Sequence, residues 1–219
     1  RVGKGEGYEI LAVRWPVLAD PDPSRDTVIV HGEGLLLLPT KTAPVADVIA
    51  IPDADQTPEQ IVGLAEGLAA EAQFARLLAE NGCRVLVPVL ISRERQQRTR
   101  PGGTGGANLT NREYIYRSAF ELGRHIIGYE VQKVLAGVDW FAKEAGGSHV
   151  KIGVIGYGEG GLIALCAGAL DPRIDITHVS GYFGPREGIW QEPLDRNVFG
   201  LLAEFGGSYF TFSNENNYT

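Results

Sequence analysis

Methionine is absent from the chain, cysteine occurs twice and histidine four times. The cysteines, Cys83 before an apolar strand and Cys166 inside a helical run, have no partner at metal-ligand spacing. No metal centre is expected, and both read as buried, unpaired thiols. Two such residues leave the redox compartment open. No apolar run approaches the ~20 residues of a membrane span. Positive charge is in deficit, with 20 Lys and Arg against 27 Asp and Glu. Without a broad basic surface, nucleic acid is a poor partner. A chain that starts at Arg1 and lacks methionine is expected to be preceded by its native start and any leader, so localisation stays open.

What is present is a core-forming pattern. With 219 residues, 44% of them apolar, the chain is long enough for one full α/β domain. Strands are predicted over Tyr8 to Leu18, Thr27 to Pro39 and Ala46 to Pro52, the first two antiparallel and the third covered on both faces. In DADQTPEQ, Thr57, Pro58 and Gln60 form an N-cap, a first-turn proline and a reciprocal capping residue. The helix starting there is expected to break near Gly63 or Gly67, resume through AAEAQFARLLAENG and stop at Asn81-Gly82. Cys83 to Ile91 reads as a second fully apolar strand. The next stretch, SRERQQRTRPGGTGGANLTN, reads as the longest structureless segment. Val131, Val134, Leu135, Val138 and Phe141 recur at helical spacing and predict an amphipathic helix from Ile126 to Glu144. Another strand, Lys151 onward, then leads through glycines into a helix ending at Leu170. Ile176 to Phe183 follows as a further buried strand. This alternation predicts a mostly parallel sheet with helices on both faces. The expected organisation is a single domain over 1–207 and an irregular tail over 208–219.

The glycine turn KIGVIGYGEGG, Lys151 to Gly161, permits two readings. Residues 156–161 satisfy G-x-G-x-x-G between a strand and a helix, the dinucleotide fingerprint. That fold needs a ribose-binding acid about 20 residues on. At that distance stand Val179, Ser180, Gly181 and Tyr182, with the next acid at Glu187, and little chain remains for the rest of such a domain. The other reading is a nucleophile elbow, G-x-S-x-G, in which small residues flank the nucleophile because the turn is tight. Gly156, Gly158 and Gly160 supply that frame, with glycine at the position of the serine.

HGEGLLLLP at 31–39, VIAIPDADQTPEQ at 48–60, RHIIGYEVQKVLAGVDWF at 124–141, IGVIGYGEGGLIAL at 152–165 and VSGYFGPRE at 179–187 favour the second reading. In this order and spacing the chain resembles the α/β-hydrolase superfamily, most nearly its dienelactone hydrolase and acetyl xylan esterase-like branch, over residues 8–207. The resemblance implies the α/β-hydrolase fold, here ending before the last two strands that would carry the acid and the histidine. A coding sequence cut short would account for the absent start, the absent strands and the tail together, but not for Gly158. The resemblance also implies an ancestral carboxylic ester hydrolase acting on an acetyl ester or lactone, with a small ester or carbohydrate as ligand and no cofactor. At the elbow it implies Gly158 at the nucleophile position. One oxyanion donor is the backbone NH of Glu159. The other comes from the loop Asp53 to Gln56, with Asp55 and Gln56 the candidates.

Each of these residues also has a plainer role. PDADQTPEQ serves as a helix-capping loop, and Glu159 as a helix-start acid facing the macrodipole. Among the acids after Gly158 (Glu159, Asp171, Asp175, Glu187, Glu192, Asp195, Glu204 and Glu215) none is marked as catalytic. The single later histidine, His178, reads as a packed strand residue, and His31, His125 and His149 precede the elbow. Ser180 is a formal substitute nucleophile at a strand end. Arg93, Arg95, Arg98 and Arg100, against Glu94, suit either a solvated loop or a contact to an anionic or carbohydrate ligand. Three functions remain open: a weak or inactive ester hydrolase descendant, a non-catalytic ligand-binding or interaction domain on the same fold, and the dinucleotide domain. The oligomeric state is not encoded in any of these features.

Overall fold

A computed structural model of the chain describes residues 1–19, 24, 28–99, 106–146 and 150–182. Two compact units result, one of Arg1–Leu90 with Ile127–Gly181 and one that includes Ile91–Ile126. The region read as a tail, 208–219, lies outside the described residues, as do Arg100, His149 and the acids from Glu187 on.

The first unit is built on a seven-stranded sheet. Its strands are β1 (Gly3–Gly5), β2 (Tyr8–Ala19), β3 (Val28–Pro39), β4 (Asp47–Ile51), β5 (Arg84–Pro88), β8 (Ile152–Tyr157) and β9 (Ile176–Ser180), in the order β1-β2-β3-β5-β4-β8-β9. β5, β4, β8 and β9 run parallel, and β1 to β3 extend the sheet antiparallel. β4 is buried along its whole length, as its unbroken apolar run predicts. Successive residues of a strand face opposite sides. Val48, Ala50, Val85, Val87, Leu35 and Leu37 therefore pack with Ile61, Val62, Ala75 and Ala79 of the helical segment between β4 and β5.

That segment begins where its capping signal places it. Thr57 Oγ1 accepts the Gln60 N–H and Gln60 Oε1 accepts the Thr57 N–H, closing a capping box on α1 (Pro58–Ile61). Gly63 and Gly67 carry φ of 78° and 113°, so the helix breaks after one turn. It resumes through a 3₁₀ turn, Ala70–Ala72, into α2 (Phe74–Glu80), capped at Asn81 with Gly82 at φ 85°.

The opposite face carries α4 (Ile126–Glu144). Val131, Val134, Val138 and Phe141 of its predicted stripe are buried, and Leu135 is half-buried. Gly137 lets the helix settle onto the sheet: a Cβ there would lie 2.9 Å from Leu86 Cδ2 and 3.0 Å from Ile49 Cδ1. α5 (Glu159–Leu170) lies on the same face, Gly168 against Thr177, which shares its row with Val154 and Ile49.

Two polar clusters lock this layer. Asp47, fully buried at the start of β4, accepts from its register partner Arg84 on β5 in two-pronged fashion, Nε to Oδ1 at 2.7 Å and Nη2 to Oδ2 at 2.6 Å. The Arg84 guanidinium also lies 5.0 Å from the ring centres of Trp140 and of Phe141. Beyond the end of α5, Arg173 bridges Asp171 (Nη2 to Oδ2, 2.6 Å) and Asp139 of α4 (Nη2 to Oδ1, 2.7 Å). The hydrogen bond from Arg173 holds the Asp171 carboxyl below its ordinary range against the opposing effect of burial. A depressed carboxyl contributes stability above its unfolded value of about 3.9 and loses it as pH falls through its folded value. Asp171→Asn is expected to lower stability at pH 7 by about 1 kcal/mol, discounted because the arginine is half exposed. That difference should shrink as urea midpoints are taken below about pH 4; an equal gap at every pH would exclude the linkage.

Five elements depart from the sequence-based expectation. The stretch read as structureless contains a hairpin, β6 (Arg95–Thr99) with β7 (Gly106–Thr110), followed by α3 (Asn111–Glu121), all in the second unit. β6 is made of arginine, glutamine and threonine with no apolar residue, and β7 offers only the short alternation of Ala107 and Leu109. The start of α3 was nonetheless written in Thr110 and Glu113, three apart: Thr110 Oγ1 accepts the Glu113 N–H at 3.1 Å. β9 is not a buried strand, since Ile176, Thr177 and His178 are exposed. Among the described residues it is the outer strand of the sheet. β1 was not anticipated, its three residues being two glycines and a lysine.

Candidate functional site

β8 ends at Tyr157 and α5 begins at Glu159, leaving Gly158 alone to turn the chain. Its φ of 56° and ψ of −120° are a conformation that L side chains enter only with strain. The strand and the helix then meet at backbone contact. A Cβ on Gly156 would overlap the Gly160 carbonyl and come within 2.6 Å of Gly161 N, and one on Gly160 would overlap the carbonyls of Ile51 and Pro52. The turn is thus too tight for side chains at 156 and 160. The turn is fixed from β9 as well, where Ser180 O accepts the Gly158 N–H at 2.9 Å.

Glycine offers no side chain to cap α5, and the cap comes from elsewhere. Asp53, in the loop after β4, accepts the Glu159 N–H through Oδ2 at 2.8 Å and the Asp55 N–H through Oδ1 at 2.9 Å. Gln56 closes the same loop, donating its N–H to Asp53 O at 2.9 Å while its Oε1 accepts the Asp53 N–H at 3.1 Å. The helix dipole favours a carboxylate at this end. Asp53 also fills the space beside Gly158, where a Cβ would overlap its Oδ2 and lie 2.9 Å from its Cγ.

The residues singled out from the sequence therefore assemble around one carboxylate. The NH groups of Glu159 and Asp55 converge on Asp53, whereas the NH of Gln56 is engaged in the turn. Asp53 itself was not singled out. Its signal lay in the Asp-x-Asp spacing, which lets an aspartate accept the N–H two residues on.

His178 stands exposed on β9 opposite Ile155, and Ser180 contributes its carbonyl. His31 is half-buried on β3 opposite Pro16, and His125, in the second unit, packs edge-on against Tyr116 at 5.3 Å. Arg95 lies on β6 and donates to Asn108 O across the hairpin. Burial pushes up the thiols of Cys166 and Cys83, the latter also raised by Asp47. Both stay protonated at neutral pH and are poor nucleophiles. Among the described residues no group of three or more His, Cys, Asp or Glu side chains is placed to hold a metal ion, and no helix is long and apolar enough to cross a membrane. An apolar cavity of about 280 Å³ opens between β2 and α4, lined chiefly by Trp15, Leu36, Leu86 and Trp140. It sits toward the β1 side of the sheet, with β5 and β4 between its β3 wall and the elbow strand.

Solved structures share this architecture. A Bacteroides fragilis protein provisionally assigned as an acetyl xylan esterase superposes with a TM-score of 0.55 at 18% identity over 78% of this chain and 44% of its own. Acetyl xylan esterase 1 from Thermoanaerobacterium gives 0.51 at 15% identity, covering 97% of this chain and 60% of its own. The acylaminoacyl peptidase of Pyrococcus horikoshii gives 0.51 at 12%, covering 89% and 26%. The chain thus spans less than two thirds of the length of these proteins, and at such identities they establish the α/β-hydrolase fold. No curated protein sequence matches the chain. The sequence profile of one family matches residues 33–206, well over half of the chain and including both the Asp53 loop and the glycine turn. With a parallel β4-β8-β9 core, a glycine turn between β8 and α5, and that match, the chain belongs to the dienelactone hydrolase family.

Proposed function

We propose that this chain is a carboxylic ester hydrolase domain by descent, of the kind that acts on acetyl esters or lactones, and that it is weak or inactive as a hydrolase. The observation that carries the reading is Gly158 at the elbow, in the elbow's own backbone conformation. On this reading Gly158 stands where a serine would attack, and glycine has no nucleophilic atom. Cys166, protonated in α5, does not supply one, and what Ser180 brings to the turn is its backbone carbonyl. A small ester or carbohydrate remains the ligand class that the family relationship favours.

The native chain is expected to hydrolyse 4-nitrophenyl acetate no faster than buffer with an equal weight of unrelated protein, and to escape labelling by a fluorophosphonate. Turnover abolished by that reagent would overturn the reading. Gly158→Ser alone is expected to stay at the background rate too, because the new Cβ would meet the Asp53 carboxylate.

A further inference from the structure

We propose that Asp53 is an autoinhibitory occupant of the oxyanion cradle, a carboxylate of the chain itself seated where the charged oxygen of a reacting ester, or a free carboxylate ligand, would be held. The inference rests on the reading of the turn as a hydrolase elbow and adds to it a second, separate block. A missing nucleophile leaves a cradle of N–H donors intact. Here that cradle is filled.

Three observations meet on this one side chain. Its Oδ2 takes the N–H of Glu159, the residue after the nucleophile position, and its Oδ1 takes the N–H of Asp55, in the loop after the third strand of the family core. Those are the two places from which an elbow of this kind draws its oxyanion donors. The same Oδ2 occupies the volume that a side chain at 158 would enter. The loop carrying Asp53 is braced at both its N–H and its C=O by Gln56, so the carboxylate is presented by a fixed turn. A carboxylate is also a chemical mimic of what such a cradle binds: planar and anionic, here with one oxygen on each of the two N–H donors.

The ligand class that competes with Asp53 is therefore a small carboxylate, the acid released by ester hydrolysis. Removing the internal carboxylate should open the cradle to one supplied from solution. Asp53→Ala in the full chain is expected to lower the thermal midpoint by roughly 6–12 °C, the loss of two charge-assisted hydrogen bonds at the low end of their range in a chain of this size. Sodium acetate should restore at least half of that loss, and sodium chloride at matched ionic strength should not. In the acetate titration the backbone amide signals of Glu159 and Asp55 should shift together in the variant and stay still in the native chain. An Asp53→Ala protein as stable as the native one, or one indifferent to acetate, would overturn the proposal.

Should Asp53→Ala fail to fold in either salt, Asp53→Asn decides. Its single carbonyl oxygen can serve only one of the two donors, so the amide of Glu159 or of Asp55 should exchange with deuterium at least tenfold faster. Native protection at both amides would refute the occupant role. Ester turnover by the native chain, by contrast, would sink the reading of an inactive elbow while leaving the acetate result to be judged separately.

Discussion

Asp47→Ala is expected to destabilise the protein by about 3–5 kcal/mol, the cost of stranding a buried charge by removing its partner. Asp47 is wholly buried and the Arg84 side chain is 13% exposed. After the substitution the guanidinium would stay beneath Trp140 and Phe141 with neither of its two carboxylate bonds. Those rings offer a cation only partial compensation, about 1–2 kcal/mol. Removing both charges is a different matter. Asp47→Val with Arg84→Met exchanges a desolvated ion pair for apolar contacts at the joint of β4, β5 and α4, and should recover most of the loss. Urea unfolding at pH 7 tests both, with the slope checked for constancy. A single variant within 1 kcal/mol of the native chain would show that water reaches the pair.

Gly156→Ala is the second large effect. The added methyl group cannot be absorbed by a rotamer change, because what it meets is the backbone of Gly160 and Gly161. Strand β8 and helix α5 would have to part, and with them the turn at Gly158. A loss on the order of 4 kcal/mol or more is expected, in the range reserved for changes that dismantle packing outright. The informative control is Gly128→Ala, in exposed α4 with nothing within 4 Å of the added atom. There the same chemical change should stabilise by about 0.5–1 kcal/mol through helix propensity and reduced freedom of the unfolded chain. Equal effects at the two sites in urea titrations would mean that the elbow is looser than its backbone contacts imply.

Features set by near neighbours in the chain were legible from the sequence. Thr57, Pro58 and Gln60 marked a helix start because all three act within one turn, and the apolar spacing from Val131 to Phe141 marked α4 because one face of a helix is a local pattern. The glycine frame at 156, 158 and 160 was readable for the same reason. The hairpin of the second unit escaped, since β6 is wholly polar, β7 alternates over only two apolar residues, and the Arg95 to Thr110 register is visible only once the strands pair. Arg84 and Asp47 escaped as partners because nothing in a sequence says which strands adjoin. Asp53 belongs to both kinds. Its local contact with Asp55 was signalled by spacing, but its bond to Glu159 depends on the sheet bringing the ends of β4 and β8 side by side.

That last contact closes over 106 residues, and the other anchor of the turn, Ser180, arrives with the outer strand β9. Neither can form while the elbow and its own helix are the only ordered parts of the chain. Loops of such length are closed late, after nearer pairings have lowered their entropy cost. The bend at Gly158 is therefore a keystone, whose conformation reports that β4, β8 and β9 have found their registers.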